Sequence, residues 1–393
     1  MKDNKLVLLL EILTVSTKLG LSSFGGPIAH LGYFHEEYVR KRKWLDEQGY
    51  ANLVALCQFL PGPASSQVGI GIGVLRGGLF GGILAFIGFT IPSVIALILF
   101  ALLLQGMEIE NAGWIHGLKI VAVAVVAHAI SGMASKLTPD LSRKSIALFA
   151  LISTLLWQTA YTQIGVILIA AVIGFIIYKE HKEDSPSALQ FPLSKKFAVI
   201  CLGLFFGLLI VLPILRELTT SSWVAMFDSF YRSGSLVFGG GHVVLPLLER
   251  EFVSGWLSKE EFLAGYGAAQ AVPGPLFTFA AYIGAVVNGW AGGLLATIAI
   301  FLPAFLLVLG TLPFWESISR NPNIKGALMG VNAAVVGILF SSLYDPIWTS
   351  SILGPMDFAF AALLFSMLAY WKLPPWMIVV TGIIGGYLLS LNV

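Results

Sequence analysis

Gln58-Phe59-Leu60-Pro61-Gly62-Pro63 returns later in the chain as Gln270-Ala271-Val272-Pro273-Gly274-Pro275, an offset of 273 − 61 = 212. Upstream, Phe24-Gly25-Gly26 returns as Phe238-Gly239-Gly240 at 238 − 24 = 214, with Lys18 opposite Arg232 and Gly20 opposite Gly234. At the 212 offset Trp44-Leu45 stands opposite Trp256-Leu257, and Gly77 opposite Gly289. The change of offset is a two-residue deletion in the loop between the motifs. Several rare residues matching in order with a single gap mark an internal duplication, which sets the architecture before any one element does.

Working outward, the 393 residues are 57% hydrophobic and only 11% charged, with a mean hydropathy of +0.87. A water-soluble surface of this size needs far more charge. Apolar stretches of about 20 residues, enough to cross a hydrocarbon core, recur along the chain. The fold class expected is therefore an all-α polytopic membrane protein with the lipid bilayer as its solvent. Thirteen segments are legible: 6–27, 50–75, 79–104, 113–135, 145–158, 162–178, 196–215, 223–246, 262–288, 291–314, 326–344, 356–371 and 374–392. Six belong to an N-terminal repeat, 1–180, and six to a C-terminal repeat, 223–393. The polar run Lys179–Lys196 and the unpaired segment 196–215 fill the linker unit, 181–222. Six segments return the chain to its starting side and one more crossing inverts the second repeat, a plan common among secondary transporters.

Charge patterning orients the spans. With the N-terminus in the cytoplasm, Arg76, Lys136, Arg143, Lys144, the 179–196 run, Arg320, Lys325 and Lys372 fall inside. Glu108, Glu110, Asp345 and Asp357 fall outside, with Arg216 as an exception. The basic loop Arg40-Lys41-Arg42-Lys43 lies inside, and its acidic counterpart (Glu249, Glu251, Glu260, Glu261) outside, only if the first two segments of each half enter and return. The net charge of +2 is too small to call for nucleic acid. Cys57 and Cys201 sit in apolar runs, with no disulfide framework or metal-ligand spacing. The first apolar run carries Glu11 and Lys18 and lacks a small-residue cleavage site, so no removable signal is read. No cofactor is called for, and a homodimer is left open.

The repeated motifs carry the chemistry. Proline removes a backbone donor and ends a helix, glycine takes unusual backbone angles, and a second proline suits the start of a new helix. Gly62 and Gly274 are therefore read as breaks. Beyond them the N–H groups around Ser65 and Ser66, and around Thr278, are expected at helix N-termini, which are ready anion sites. A plain proline kink is the bland reading for one copy; two equivalent copies favour a ligand. Gly25, Gly26, Gly239 and Gly240 either open broken helices to a ligand or let helices pack closely. Lys18 and Arg232 sit six residues before these runs, and a cation at bilayer depth needs a partner or a role. Converging on the breaks they would hold a dianion; snorkelling to an interface is the alternative. Asp228, one turn before Arg232, reads as its partner, or else as a proton-coupling carboxylate. Gln58 and Gln270 could donate to oxyanion oxygens or satisfy freed backbone groups. His242 could titrate during transport, although a satisfied structural role is the commoner fate of such a histidine.

The Phe-Gly-Gly-Pro run at 24–27, both Gln-x-x-Pro-Gly-Pro runs, and Arg232-Ser-Gly-Ser-Leu-Val-Phe-Gly-Gly-Gly-His242 resemble the chromate ion transporter family in its long two-domain form. In the second copy Gly241 replaces the Pro27 counterpart. The resemblance implies a bacterial cytoplasmic membrane protein that exports chromate, with sulfate as a related substrate; Asp228 or His242 leaves a proton as a candidate coupling ion. A passive anion channel and a membrane enzyme acting on lipid phosphate are the alternatives from other classes. An enzyme would want a nucleophile–base pair or paired carboxylates at depth, and the acidic residues here lie mostly in loops.

Overall fold

The fold is given by a computed structural model, which describes residues 2–24, 26–105, 113–157, 159–178, 192–238, 243–253, 255–315 and 322–391. Among these residues every regular element is helical. The first half runs α1 (Lys2–Ser22), α2 (Gly26–Phe34, prolonged by a π-helix His35–Lys41), α3 (Glu47–Phe59), α4 (Ala64–Leu104), α5 (Gly113–Leu137), α6 (Leu141–Leu156) and α7 (Ala160–Ile177). Helix α8 (Lys195–Leu218) follows. Then come α9 (Ser222–Ser235), α10 (Val244–Phe252), α11 (Lys259–Ala271), a 3-10 turn Leu276–Thr278 leading into α12 (Phe279–Thr311), α13 (Pro322–Ser342), α14 (Pro355–Ala369) and α15 (Pro375–Ser390). Among the described residues the longer α-helices thus run seven, one and seven, with a π-helix Leu343–Trp348 and a single turn Thr349–Ser351 between α13 and α14.

A straight helix of 41 residues, the length of α4, would run about 60 Å, twice a hydrocarbon core of about 30 Å. Instead it folds into a hairpin. Gly77 (φ −130°, ψ 16°) and Gly78 (φ 64°, ψ −159°) form the corner, and Asn288 (φ −140°, ψ 33°) with Gly289 (φ 57°, ψ −148°) repeats it in α12. The legs touch so closely that a Cβ on Gly73 would collide with the Gly81 carbonyl, and one on Gly284 with the Gly292 carbonyl. The corners pair Gly78, not Gly77, with Gly289, and the helical prolines Pro92 and Pro303 keep the same spacing of 303 − 92 = 211. One residue is therefore lost near the 3-10 turn after Pro275. The larger rise of that helix, ~2.0 Å per residue against ~1.5 Å, covers the same length with fewer residues.

The earlier segments double back too. Thirty-one residues of straight helix would separate Glu11 from Arg42 by about 46 Å, yet their side chains pair at 2.9 Å. Arg232 and Glu251, across the next break, pair at 3.0 Å. Leu53 of α3 packs on Gly71 of α4, and Gly265 of α11 on the ring of Tyr282 in α12, so each Pro-Gly-Pro run is also the tip of a hairpin. Glycine allows the close approach of α1 to α4 at Gly20, against the Gly88 and Phe89 carbonyls, and of α9 to α12 at Gly234, against Ile300. The shell is apolar. Helix α8 buries Ala198, Cys201, Phe205 and Leu212 and turns Val199, Ile200, Leu204, Phe206 and Ile210 outward. Among the described residues five helical stretches are long and apolar enough to cross a membrane, the two hairpins among them.

Candidate functional site

The tips of the hairpins meet crosswise in the interior. Gly62 takes φ +114° and Gly274 φ +105°, left-handed angles that glycine accepts readily. Pro63 and Pro275 cap the segments that follow. The Gly62 N–H donates to the Val237 carbonyl at 2.7 Å, and the Gly274 N–H donates to the Ser23 carbonyl at 2.9 Å. Ser23 and Val237 are equivalent at the 214 offset, so the two bonds are reciprocal: each Pro-Gly-Pro corner is tied to the first break of the other half. A second reciprocal contact lies above. Ser93 Oγ donates to the Pro273 carbonyl at 2.5 Å, and Ala304, its counterpart, packs over Gly62.

Beside this crossing lies a cavity of about 430 Å³. Gly26, Gln270 and Gly274 line it, as do His128 of α5 and Lys372, in the link between α14 and α15. Among the described residues no carboxylate does. Gly26 begins α2 at φ +79°, so a helix N-terminus borders the space. The buried Nε2 of Gln270 has no partner. His128 stands edge-on to Phe365 at 6.1 Å. Lys372 holds φ +54°, a left-handed position that ends α14, with the Leu373 N–H returning to the Met367 carbonyl at 3.0 Å. Among the described residues it has no ion-pair partner. An ammonium, an imidazole, an amide and a helix N-terminus together make a lining suited to an anion. In sequence Lys372 marks only the side of a loop and nothing singles out His128; neither sits in a motif, and a left-handed lysine cannot be read from residue letters.

Other expected site residues are dispersed. Ser65 and Ser66 are buried in the first turn of α4, Ser65 Oγ lying 3.3 Å from His30 Nδ1. Thr278 is buried, its hydroxyl donating to the Pro275 carbonyl at 2.7 Å. Gln58 faces outward from α3; it is Gln67 that serves the freed backbone, donating from Nε2 to the Pro61 carbonyl at 2.8 Å. Gly25, Gly239, Gly240 and His242 lie outside the described residues.

The two expected cations do not converge. Lys18 lies on the outward face of α1 with Val7, Leu10 and Leu21, where its long stem can snorkel. Arg232 is neutralised instead. It pairs with Asp228 at 2.9 Å and Glu251 at 3.0 Å, and Arg216 meets the same two carboxylates at 3.3 Å. The corresponding place in the first half holds another balanced group: Arg42 bonds Glu37 at 2.8 Å and Glu11 at 2.9 Å, and Arg76 reaches Glu11 at 3.8 Å. Both guanidiniums flank the Trp44 ring, at 5.7 and 5.3 Å. Asp228 is absent from the first half, where Thr14 occupies its position, so the equivalent cations meet different surroundings.

Helical hairpins whose broken tips cross inside an apolar shell, beside an anion-suited cavity, define a multi-pass membrane protein of the broken-helix kind used by solute carriers. The chromate transporter family matches residues 10–175 and again 224–387, and the chain belongs to that family. It is 29% identical to a probable chromate transport protein of Synechococcus elongatus, over 94% of this chain and 92% of the relative. It is 27% identical to an uncharacterized transporter of Methanocaldococcus jannaschii, over 97% and 94%. A chromate transport protein of Pseudomonas aeruginosa is 26% identical, over 84% and 78%. No solved structure matches the chain.

Proposed function

We propose that the chain is a secondary carrier that moves a tetrahedral oxyanion, chromate first, out of a bacterial cell by alternating access between two inverted halves, 1–180 and 223–393, joined by 181–222. The reciprocal hydrogen bonds Gly62–Val237 and Gly274–Ser23 carry this reading. They tie the halves together at their weakest backbone points, where a small rearrangement on one side need not disturb the other. Ion pairs support the inversion. Lys119–Glu260, His116–Asp357 and Lys259–Asp345, at 3.3, 2.8 and 3.9 Å, each engage a carboxylate that the charge rule assigns outside. The Asp140–Arg143 pair with Tyr178, and the Glu11–Arg42–Arg76 group, join groups assigned inside. On that assignment Lys372 places the mouth of the cavity on the cytoplasmic side, where an exported anion enters. Lys372, His128, Gln270 and the start of α2 receive it there.

The test is counterflow in proteoliposomes of the full chain loaded with unlabelled chromate, with sulfate, molybdate, phosphate and chloride as competitors, at two pH values. Saturable chromate exchange, inhibited by sulfate and not by chloride, is the expected result, and a pH-dependent rate would mark proton coupling. Flux that never saturates and shows no counterflow would make the protein a channel and overturn the carrier.

A further inference from the structure

Six polar side chains crowd the first Pro-Gly-Pro corner away from water: Ser23, His30, Ser65, Ser66, Gln67 and Thr90, none more than 2% exposed. Five of them hold a polar atom with no partner, namely Ser23 Oγ, His30 Nε2, Ser66 Oγ, Gln67 Oε1 and Thr90 Oγ1. Contacts link the segments that carry them. The Ser23 carbonyl accepts from Gly274, His30 meets Ser65 at 3.3 Å, and its ring stands edge-on to Phe89, the neighbour of Thr90, at 5.4 Å. Ser66 and Gln67 continue the first turn of α4. Buried groups without partners are costly and rare in native proteins, and a cluster of five calls for a ligand or ordered water.

The second half supplies an internal control. At the equivalent positions Val237 replaces Ser23, Val244 replaces His30 and Phe301 replaces Thr90, and the Ser65-Ser66-Gln67 turn gives way to Leu276-Phe277-Thr278-Phe279, its phenylalanines fully buried. Thr278 stands for Ser66, and its hydroxyl is already bonded to Pro275. The same corner therefore folds with an apolar lining. Apart from Gln67, whose Nε2 bonds the Pro61 carbonyl, the polar groups of the first half are not needed to build it, and they stay there at a cost in stability.

We infer that this cluster is the occluded binding site for a tetrahedral oxyanion, held by neutral hydrogen-bond donors rather than by cations. The inference rests on the oxyanion-carrier reading and deepens it. The hydroxyls of Ser23, Ser66 and Thr90 donate to the oxyanion, and the N-terminal amides of α4 add their partial positive charge. When Ser65 donates to His30 Nδ1, Nε2 carries the ring hydrogen and becomes a further donor. Gln67 Oε1, the acceptor of the group, suits the O–H of a hydrogen oxyanion. The Gly274–Ser23 bond stands between the cluster and the cavity bordered by Gly26 and Gly274, so loosening that bond admits the ligand. Loosening its reciprocal, Gly62–Val237, releases the ligand on the other side.

The experiment uses the full-length protein in detergent. Binding of chromate, and separately of sulfate, is measured by calorimetric titration, and the melting temperature is measured without ligand. Ser66→Ala and Thr90→Val are compared with Thr90→Ser, which keeps the hydroxyl. The expected result is a melting temperature unchanged or raised in Ser66→Ala and Thr90→Val, with chromate affinity at least tenfold weaker, and affinity retained in Thr90→Ser. A lowered melting temperature with native affinity would make these residues structural and overturn the assignment. Native binding in all three variants would remove this site while leaving the carrier intact. A native protein that binds neither anion would overturn the carrier reading itself.

Discussion

A cation near a bilayer midplane is informative only together with what surrounds it. Arg232 shares two carboxylates with Arg216, so its charge is spent on holding α8, α9 and α10 together. Removing one partner of such a group leaves an uncompensated buried charge, a destabilising change whatever the substrate. Lys372 is the opposite case. Its left-handed backbone is one that a lysine adopts at a cost of about 1 kcal/mol and a glycine adopts freely. Lys372→Gly is therefore expected to leave thermal stability unchanged or raised by up to about 1 kcal/mol. The same change should raise the KM for chromate roughly tenfold, as expected when about 1.4 kcal/mol of charge–anion attraction is lost. Lys372→Arg should keep the native KM. Thermal unfolding and transport kinetics check both, and an unaltered KM in Lys372→Gly would remove the lysine from the mouth. The sequence shows that Lys18 and Arg232 are equivalent, but it does not show which side of a helix faces inward, because one residue of register turns a side chain by about 100°.

Broken helices were the most legible elements, for a physical reason. Proline and glycine act on their own backbone, so Pro61-Gly62-Pro63 and Pro273-Gly274-Pro275 announce their corners without tertiary information. The hairpin corners at Gly77-Gly78 and Asn288-Gly289 were visible as gaps between apolar segments, but their pairing was misjudged by one residue, since nothing in the sequence reveals the 3-10 turn that shortens the second copy. The polar lining of the first corner was only half legible. Ser65 and Ser66 follow a motif, whereas His30 joins them by a contact between distant segments, and Ser23 and Thr90 come from further segments of the first half. The hairpins themselves depend on bare backbone contact. Gly284→Ala places a methyl against the Gly292 carbonyl, while Gly207→Ala on α8 meets open space. The first should lower stability by about 1–3 kcal/mol, as overpacking does, and the second by almost nothing. Equal melting temperatures for the two variants would mean that the legs do not touch as described.

The whole molecule is organised by the duplication, and function follows from the way its copies differ as much as from the way they agree. Reciprocal bonds at the two corners give the frame a near-symmetric centre, whose first corner is lined by polar side chains and whose second is lined by apolar ones. This works as a carrier only if equivalent loops open to opposite faces of the membrane. Ser142 and Leu353 are both exposed at the starts of matching helices, α6 and α14. The native Cys57 and Cys201 are buried and give little background. Ser142→Cys and Leu353→Cys, each labelled with a membrane-impermeant maleimide in intact cells and in inverted vesicles, read the orientation directly. Labelling of Leu353→Cys from outside and of Ser142→Cys only from inside is the result expected of inverted halves; labelling of both from the same side would contradict it.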